Sequence, residues 1–263
     1  MTLRIAIAGI AGRMGREVAA VAAADRTVAL AGGTVRPGAF RPRPDPVVPD
    51  GGRVVERPEE ILADVDVLLD FTTPEAALAN AAACAAAGRA FVSGTTGLTP
   101  ADLEALRRHA ATIPLFYARS MSLGLNALLA ALPALAQALA GYDVEIVETH
   151  HRHKRDAPSG TALALAEAIL AARGVSVAEQ AVYGRRGIAP RAEGEVGIHA
   201  VRAGGNAGEH TILLADEGEQ LTLNHRAYSR RPYALGALRA AKFVAGQPPG
   251  FYTMSDLLGA AAP

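Results

Sequence analysis

Six consecutive positions carry proton-transferring or cationic side chains: His150, His151, Arg152, His153, Lys154 and Arg155. The run holds three of the chain's seven histidines. An imidazole exchanges protons near neutral pH, and a lysine ammonium attracts carboxylates and donates protons. We therefore expect an anionic substrate here, a carboxylate, with acid–base groups beside it.

The flanking sequence predicts how this run is positioned. Tyr142–Glu148 alternates as a strand does, and Thr161–Leu170 is rich in residues that favour a helix. Between them, Pro158-Ser159-Gly160 is typical of a helix start with Ser159 as N-cap. The run thus leaves a strand and reaches a helix N-terminus, whose amide groups favour an anion.

Three other interpretations of the run are possible. A metal site would use several of the histidines together, but strand periodicity sends His150 to one face and His151 and His153 to the other. Cys84 is distant in sequence, so we predict no metal site. A solvated loop conflicts with the strand and helix on either side, and a nucleic-acid surface conflicts with the balanced charge, 26 basic against 26 acidic residues.

The bulk composition sets the class of protein. A chain of 263 residues suits one large or two modest domains. The single cysteine fits a reducing cytoplasm, where Cys84 would be an inert buried thiol. The N-terminus is strand-like and does not resemble a signal peptide. The apolar run Leu123–Ala140 contains Asn126, Pro133 and Gln137, so we interpret it as a buried helix, with no membrane partner.

The N-terminal sequence has the order strand, glycine-rich turn, helix. Leu3–Ala8 is an apolar strand apart from Arg4, residues 9–15 have the pattern Gly-x-x-Gly-Arg-Met-Gly, and a helix follows over Arg16–Ala24. Glycine lets the backbone approach a pyrophosphate, and the helix start supplies amides. The residues expected to contact a nicotinamide dinucleotide here are Gly9, Ile10, Ala11, Gly12, Arg13 and Met14.

The second strand predicts the nucleotide preference. Val28–Thr34 ends at Val35-Arg36, where an enzyme that prefers NAD usually has an acidic residue for the ribose hydroxyl. A hydrophobic residue beside Arg36 favours a 2′-phosphate, so we expect NADPH in preference to NADH. The proline-rich segment 37–52 is expected to form a loop over the cofactor edge.

The remaining elements predict an α/β fold with two domains. Alternating strands and helices continue to Ala118, which indicates a Rossmann-type dinucleotide-binding domain over 1–121, completed by 233–263. A smaller α+β domain, which carries the predicted substrate site, covers 122–232. Its mixed, mostly antiparallel sheet has about four predicted strands: Val144–His150, Val196–Val201, His210–Ala215 and Gln220–Arg226.

Taken together, the motifs resemble a known family. Glu148-x-His-His-x-x-Lys154-x-Asp156-x-Pro158-Ser-Gly-Thr161 is similar to the signature of the dihydrodipicolinate reductases of the lysine and diaminopimelate pathway. The Gly-Arg-Met-Gly turn resembles that family's own fingerprint, and the resemblance extends over nearly the whole chain. It implies reduction of 4-hydroxy-tetrahydrodipicolinate by NADPH or NADH in the cytoplasm, by a homotetramer joined through the sheets of the second domains.

The resemblance also implies roles for residues. His150 would be the general acid/base and Lys154 the proton donor, while His151 and the amides of Gly160 and Thr161 would hold the substrate's carboxylates. Further cofactor contacts would come from Gly94, Thr95 and Thr96 and from the segment Ala118, Arg119, Ser120 and Met121, which departs from the family's usual sequence. His199, His210 and His225 are expected to be strand or interface residues.

Two alternatives stay open at this point. One is another NAD(P)-dependent oxidoreductase of similar architecture, such as an amino-acid dehydrogenase, which would need a different arrangement of site residues. The other is a nucleotide-binding regulator that has lost catalysis. Intact His150 and Lys154 favour an enzyme over the regulator.

Overall fold

The computed structural model describes residues 2–36, 38, 48 and 52–259. Its contacts divide the chain into two compact units, Met1–Leu123 with Arg230–Pro263, and Gly124–Ser229. Both boundaries lie within a few residues of the predicted ones, and each unit has an apolar core of its own.

The first unit is built on a seven-stranded sheet in which every pair of neighbours is parallel. Its spatial order, β3-β2-β1-β4-β5-β6-β12, contains the strand order of dinucleotide-binding folds. The strands, numbered along the chain, are β1 (Leu3–Ala8), β2 (Val28–Thr34), β3 (Arg53–Val55), β4 (Val67–Asp70), β5 (Ala90–Ser93), β6 (Pro114–Tyr117) and β12 (Gly250–Tyr252). The prediction of a Rossmann-type sheet is confirmed.

Helices cover this sheet, and their starts follow the capping residues in the sequence. They are α1 (Arg13–Ala23), α2 (Pro74–Ala87), α3 (Pro100–His109), α7 (Arg231–Val244) and α8 (Met254–Leu258). At α3 the predicted N-cap is confirmed, because Thr99 Oγ1 accepts from the Asp102 amide at 3.2 Å while Asp102 accepts from the Thr99 amide at 2.8 Å. The first helix begins three residues before the predicted Arg16, because Gly12 is its N-cap.

The second unit contains a five-stranded sheet in the order β11-β10-β7-β9-β8. Its strands are β7 (Asp143–His150), β8 (Ala181–Tyr183), β9 (Val196–Arg202), β10 (Glu209–Ala215) and β11 (Gln220–Arg226). The sheet is mixed, as predicted, and two of the three pairings among the four predicted strands are antiparallel. β10 is antiparallel to β7 and β11, whereas β9 is parallel to β7 and β8. The short strand β8 was not predicted.

Three helices belong with this sheet, namely α4 (Leu123–Ala138, whose first residue lies in the first unit), α5 (Gly160–Ala172) and α6 (Val177–Gln180). Leu132 of α4 and Leu165 of α5 are both fully buried in the core beneath β7. Among the described residues, no helix has the length and apolar character needed to cross a membrane.

The helix-covered face of the second sheet changes character along its strands. On β7 the inward residues are Val144 and Ile146, followed by Glu148 and His150. The register continues this division, because Ile212 of β10 pairs with Ile146 whereas His210 pairs with Glu148. One end of the face is therefore apolar core, and the other end is a group of buried ionisable side chains.

Candidate active site

Glu148 is the centre of that ionisable group. Its side chain is fully buried and accepts four hydrogen bonds. Oε1 accepts from the Ser159 amide at 2.9 Å and from Arg202 Nη2 at 2.7 Å. Oε2 accepts from Arg202 Nη1 at 2.8 Å and from His150 Nδ1 at 2.5 Å. Burial raises the pKa of Glu148, but these donors, led by Arg202, outweigh it and leave the pKa below its ordinary value.

His150 is oriented by this carboxylate. An ionised Glu148 can only accept, so the contact assigns the proton to His150 Nδ1 and the lone pair to Nε2. Burial lowers the pKa of His150, the cations of Lys154 and Arg202 lower it further, and Glu148 opposes them without reversing the direction. The imidazole is therefore neutral at physiological pH, with Nε2 as a proton acceptor.

A tight turn places Lys154 in the same group. The Lys154 amide donates to the carbonyl of His151 at 3.0 Å, which folds the chain back after β7. Its ammonium lies 2.9 Å from Asp156 Oδ1, and its side chain is 22% exposed. The carbonyl of Asp156 in turn accepts from Arg202 at 2.6 Å. A cation and a neutral imidazole are thus linked in one network through Asp156, Arg202 and Glu148.

The N-terminus of α5 completes this arrangement. Ser159 is the N-cap, as predicted, and its Oγ accepts from the Ala162 amide at 3.2 Å. The amides of Gly160 and Thr161 have no partner inside the helix because they precede its first turn of hydrogen bonds. A Cβ at Gly160 would meet no atom within 4 Å, so this helix end is open. Such an end favours a carboxylate.

Two further histidines share the face of His150. Its ring meets that of His210 edge to face at 5.2 Å, and the rings of His210 and His225 are 6.4 Å apart. His210 Nε2 is 3.1 Å from Ser159 Oγ. Burial, reinforced by His150, lowers the pKa of His210 to about 4, so its ring is neutral. Both are strand residues, and buried His210 also belongs to the group around Glu148, while His225 is half-buried beside it.

A cavity of about 540 Å³ lies in the first unit, where β1, β2 and β4 end beside the N-terminus of α1. It is lined by Gly9, Ala11, Gly12, Thr34, Val35, Arg36, Glu56, Pro58, Phe71, Thr72, Thr73, Ala76 and Asn80. Gly15 lets the turn pack closely, since a Cβ there would collide with the carbonyl oxygen of Gly9. A glycine-rich turn with an open helix end beside a cavity of this size fits a dinucleotide.

The predicted nucleotide contacts fall into three groups. Gly9, Ala11, Gly12 and Arg36 line the cavity. Arg13 and Met14 open α1, while Gly94, Thr95 and Thr96 follow β5 and Arg119 and Ser120 follow β6. The side chains of Ile10, Ala118 and Met121 lie in the apolar core, so a contact from them would have to come from their backbone. The predicted loop 37–52 lies largely outside the described residues.

Comparison with known proteins assigns both units to one family. The family model "Dihydrodipicolinate reductase, N-terminus" matches residues 3–121, and "Dihydrodipicolinate reductase, C-terminus" matches 124–258. The chain belongs to the dihydrodipicolinate reductase family. It is 46% identical over 259 residues to the 4-hydroxy-tetrahydrodipicolinate reductase of Rubrobacter xylanophilus, covering 97% of this chain and 98% of that one. Identity to the Thermomicrobium roseum reductase is 47% over 257 residues, covering 97% and 99%.

A solved structure extends this similarity to the fold. The dipicolinate-bound dihydrodipicolinate reductase of Paenisporosarcina sp. TG-14 is 25% identical, with a TM-score of 0.74, covering 96% of this chain and 98% of that chain. The resemblance drawn from the Glu148–Thr161 signature is thereby confirmed.

In this member of the dihydrodipicolinate reductase family, the structure adds residues that motif reasoning missed. Arg202 pairs with His150 across the β7–β9 ladder, and His210 pairs with Glu148 across β7–β10. Glu56 follows β3 beside Arg36, because the Val35 amide donates to the Val55 carbonyl at 2.9 Å. For Arg202, His210 and Glu56 alike, the strand register is the signal that could have identified them. Within the part of the chain that the structure describes, no group of three or more His, Cys, Asp or Glu is arranged to hold a metal ion.

Proposed function

We propose that this chain reduces 4-hydroxy-tetrahydrodipicolinate to tetrahydrodipicolinate, with loss of water, in lysine and diaminopimelate biosynthesis. The observation that carries the proposal is the buried Glu148–His150 pair beside Lys154 at the open start of α5. The relative solved with dipicolinate supports a cyclic dicarboxylate as the substrate class. A nicotinamide nucleotide supplies the hydride when bound.

Lys154 and His150 divide the proton chemistry. Addition of hydride to a conjugated C=C–C=N system leaves a carbanion-like centre that needs a proton. Lys154 donates it, because a lysine ammonium is a donor and Lys154 is held in place by Asp156. His150, kept neutral by burial and fixed by Glu148, acts as the general acid/base through Nε2.

The substrate's carboxylates are held at the start of α5. The amides of Gly160 and Thr161 are donors there, and the helix dipole favours negative charge. His151 is the third member of this clamp, and its Nδ1 is buried without a hydrogen-bond partner among the described residues. A bound carboxylate would supply an acceptor for such a group.

The cavity of the first unit takes the cofactor, with NADPH preferred. The pyrophosphate lies against Gly9–Gly12 and the start of α1. Arg36, at the end of β2, pairs with the 2′-phosphate of NADPH. Glu56, on the neighbouring strand end, accepts from the 2′-hydroxyl of NADH, so both nucleotides are used.

The enzyme assembles as a homotetramer through the second sheets. The sheet face opposite Glu148 carries Val147, Thr211 and Val201, and Val201 is 40% exposed. Tyr183 and Ile188 of the same unit are exposed as well. Sedimentation of the full chain at micromolar concentration should give four times the monomer mass, and a monomer there would refute the assembly.

The chain works in the cytoplasm, as the supply of reduced nucleotide requires. Cys84 is a free, fully buried thiol. Burial raises its pKa, so it stays protonated and unreactive, as expected from the sequence.

The direct test follows nucleotide absorbance with substrate made in situ from pyruvate and aspartate semialdehyde by the preceding synthase. Substrate-dependent oxidation of NADPH and NADH supports the proposed reaction, and the ratio of the two values of kcat/KM tests the preference for NADPH. Binding of both nucleotides without oxidation of either would favour the regulator.

Replacing Lys154 tests the proposed roles. Lys154→Ala should lower kcat by about a hundred- to ten-thousand-fold, the usual contribution of a positioned proton donor, while the Kd for NADPH stays unchanged. Arg155→Ala removes a neighbouring exposed cation and should change kcat little. Equal kcat values for the two variants would refute the role of Lys154.

A further inference from the structure

A second buried carboxylate, which the proposed chemistry does not use, lies in the first unit. Asp70 is the last residue of β4, and its side chain is fully buried. Oδ1 accepts from Thr72 Oγ1 at 2.6 Å and from Asn80 Nδ2 at 2.9 Å. Oδ2 accepts from Thr95 Oγ1 at 2.6 Å and from Ser93 Oγ at 3.1 Å. Each oxygen of the Asp70 carboxyl thus accepts two hydrogen bonds.

Every one of these donors is electrically neutral. In the part of the chain that the structure describes, Asp70 forms no ion pair with Lys, Arg or His. Two donors on each oxygen is the full complement of an ionised carboxylate, which accepts and never donates. Burial raises the pKa of Asp70 above its ordinary value, and the four hydrogen bonds oppose this rise without reversing it. The geometry, with two donors on each oxygen, is nevertheless that of a site which holds a negative charge.

The donors tie Asp70 to two loops at the ends of neighbouring strands. Thr72 follows β4 and Thr95 follows β5, and the Thr72 amide donates to Thr95 Oγ1 at 3.1 Å, so the loops are joined directly. The ring of Phe71 packs so closely on Gly94 that any Cβ there would collide with it. Phe71, Thr72 and Asn80 line the cavity.

The position of Asp70 relates it to one half of the cofactor. In this fold the first turn holds the pyrophosphate and the end of β2 holds the adenosine ribose. The other half of the dinucleotide then lies on the side of β4 and β5, where Asp70 and Ser93 end their strands. That half carries the nicotinamide.

We infer that Asp70 is a positioning residue for hydride transfer, an ionised carboxylate that orders the two nicotinamide-side loops and favours the oxidised cofactor. The inference rests on the proposed function. Hydride leaves the nicotinamide with two electrons, so the ring gains a positive charge as the substrate is reduced. A fixed negative charge nearby stabilises that product and the transition state leading to it.

Replacing Asp70 by asparagine separates charge from shape. Asp70→Asn should weaken binding of NADP⁺ roughly tenfold more than binding of NADPH, the order of effect of one charge several ångströms away inside a protein. The two Kd values come from titration of NADPH fluorescence and from its displacement by NADP⁺. The rate of hydride transfer in a single turnover should fall in parallel.

Two control variants separate the effect of the charge on Asp70 from the effect of ordering the two loops. Thr95→Val removes one donor but keeps the carboxylate, and should weaken NADP⁺ and NADPH by the same factor. Glu104→Gln makes the same change of charge on the exposed side of α3 and should alter neither Kd. Equal weakening of both nucleotides in Asp70→Asn, or no weakening, overturns the inference.

The outcome is independent of the proposed reaction, because a wild-type chain that fails to reduce the substrate still gives the ratio of Kd values. Should Asp70→Asn not fold, infrared spectroscopy of the wild-type chain decides the charge. We expect no band from a protonated buried carboxyl at neutral pH, and such a band, shifted by isotope-labelled aspartate, would refute an ionised Asp70.

Discussion

Glu148 and Asp70 offer a comparison between the two units. Both side chains are fully buried, and each accepts four hydrogen bonds, two on each oxygen. The donors differ in charge. Glu148 is paired with the Arg202 guanidinium, whereas the partners of Asp70 are hydroxyls and an amide. Burial acts on both carboxyls, yet the pKa of Glu148 lies below its ordinary value and that of Asp70 above it.

The difference shows what a counter-ion contributes inside a protein. Hydrogen bonds alone do not fully offset the cost of removing Asp70 from water, and adding a cation reverses the balance at Glu148. The second unit thus has a neutralised carboxylate, which fixes the His150 tautomer. In the first unit, Asp70 has no cationic partner among the described residues, in keeping with its proposed role toward a cofactor that becomes cationic.

Removing the Arg202 guanidinium should leave Glu148, like Asp70, without a cationic partner. This change has the largest expected effect. Arg202→Met leaves a buried carboxylate without its guanidinium, and we expect the free energy of unfolding to fall by about 3–5 kcal/mol. Urea denaturation measures it. The pKa of Glu148 should rise, because burial is then opposed only by His150 and the Ser159 amide.

The matched control is an exposed ion pair on the same sheet. Arg226 pairs with Glu209, but the Arg226 side chain is 51% exposed. Arg226→Met should therefore lower the free energy of unfolding much less than Arg202→Met does, because solvent screens the exposed pair. Adding Glu148→Gln to Arg202→Met should recover part of the loss. Equal losses in Arg202→Met and Arg226→Met would contradict the account of Glu148.

His210 tests the effect of burial on an imidazole of the second unit that forms no ion pair among the described residues. Its pKa is about 4 in the folded chain against an ordinary value of 6.5. The folded state therefore binds fewer protons than the unfolded state between these values. The contribution of neutral His210 to the free energy of unfolding is therefore fully present above pH 6.5. It is lost as the pH falls, by about 3 kcal/mol at pH 4.

Denaturation at pH 7 and pH 4 measures this contribution. His210→Gln should reduce the loss of unfolding free energy between the two pH values by about 3 kcal/mol, since the glutamine does not titrate. His153→Gln replaces an exposed imidazole and should leave the loss unchanged. The same acid sensitivity in His210→Gln as in the wild type would show that His210 is not the group responsible.

The sequence predicted the elements whose signals are local. Strand β1 and the turn that begins at Gly9 are adjacent in sequence, and Thr99 and Ser159 cap the helices that follow them directly. The three residues of β8 are too few to show alternation. The parallel pairing of β7 with β9 depends on a crossover through α5, which periodicity within a strand does not encode.

The candidate site divides in the same way. His150, Lys154 and Ser159 come from one short segment of the chain, so their types and spacing together indicate a site. Arg202 lies 54 residues after its partner Glu148, and His210 lies 51 residues after its partner Ser159. Only the strand register brings them to Glu148. Asp70 has no local signal in the sequence, because its four hydrogen-bond partners come from four separate positions of the chain.

Glu56 gives the smallest expected effect, because its carboxylate is exposed where that of Asp70 is buried. If Glu56 accepts from the 2′-hydroxyl of NADH, Glu56→Gln should raise the ratio of kcat/KM for NADPH over NADH by at most about tenfold, or roughly 1.4 kcal/mol. Glu59→Gln, nearby but outside the cavity lining, should leave the ratio unchanged. Arg36→Ala should lower it, because the 2′-phosphate loses its guanidinium. An unchanged ratio in Glu56→Gln, together with a lower one in Arg36→Ala, would assign nucleotide preference to Arg36 without Glu56.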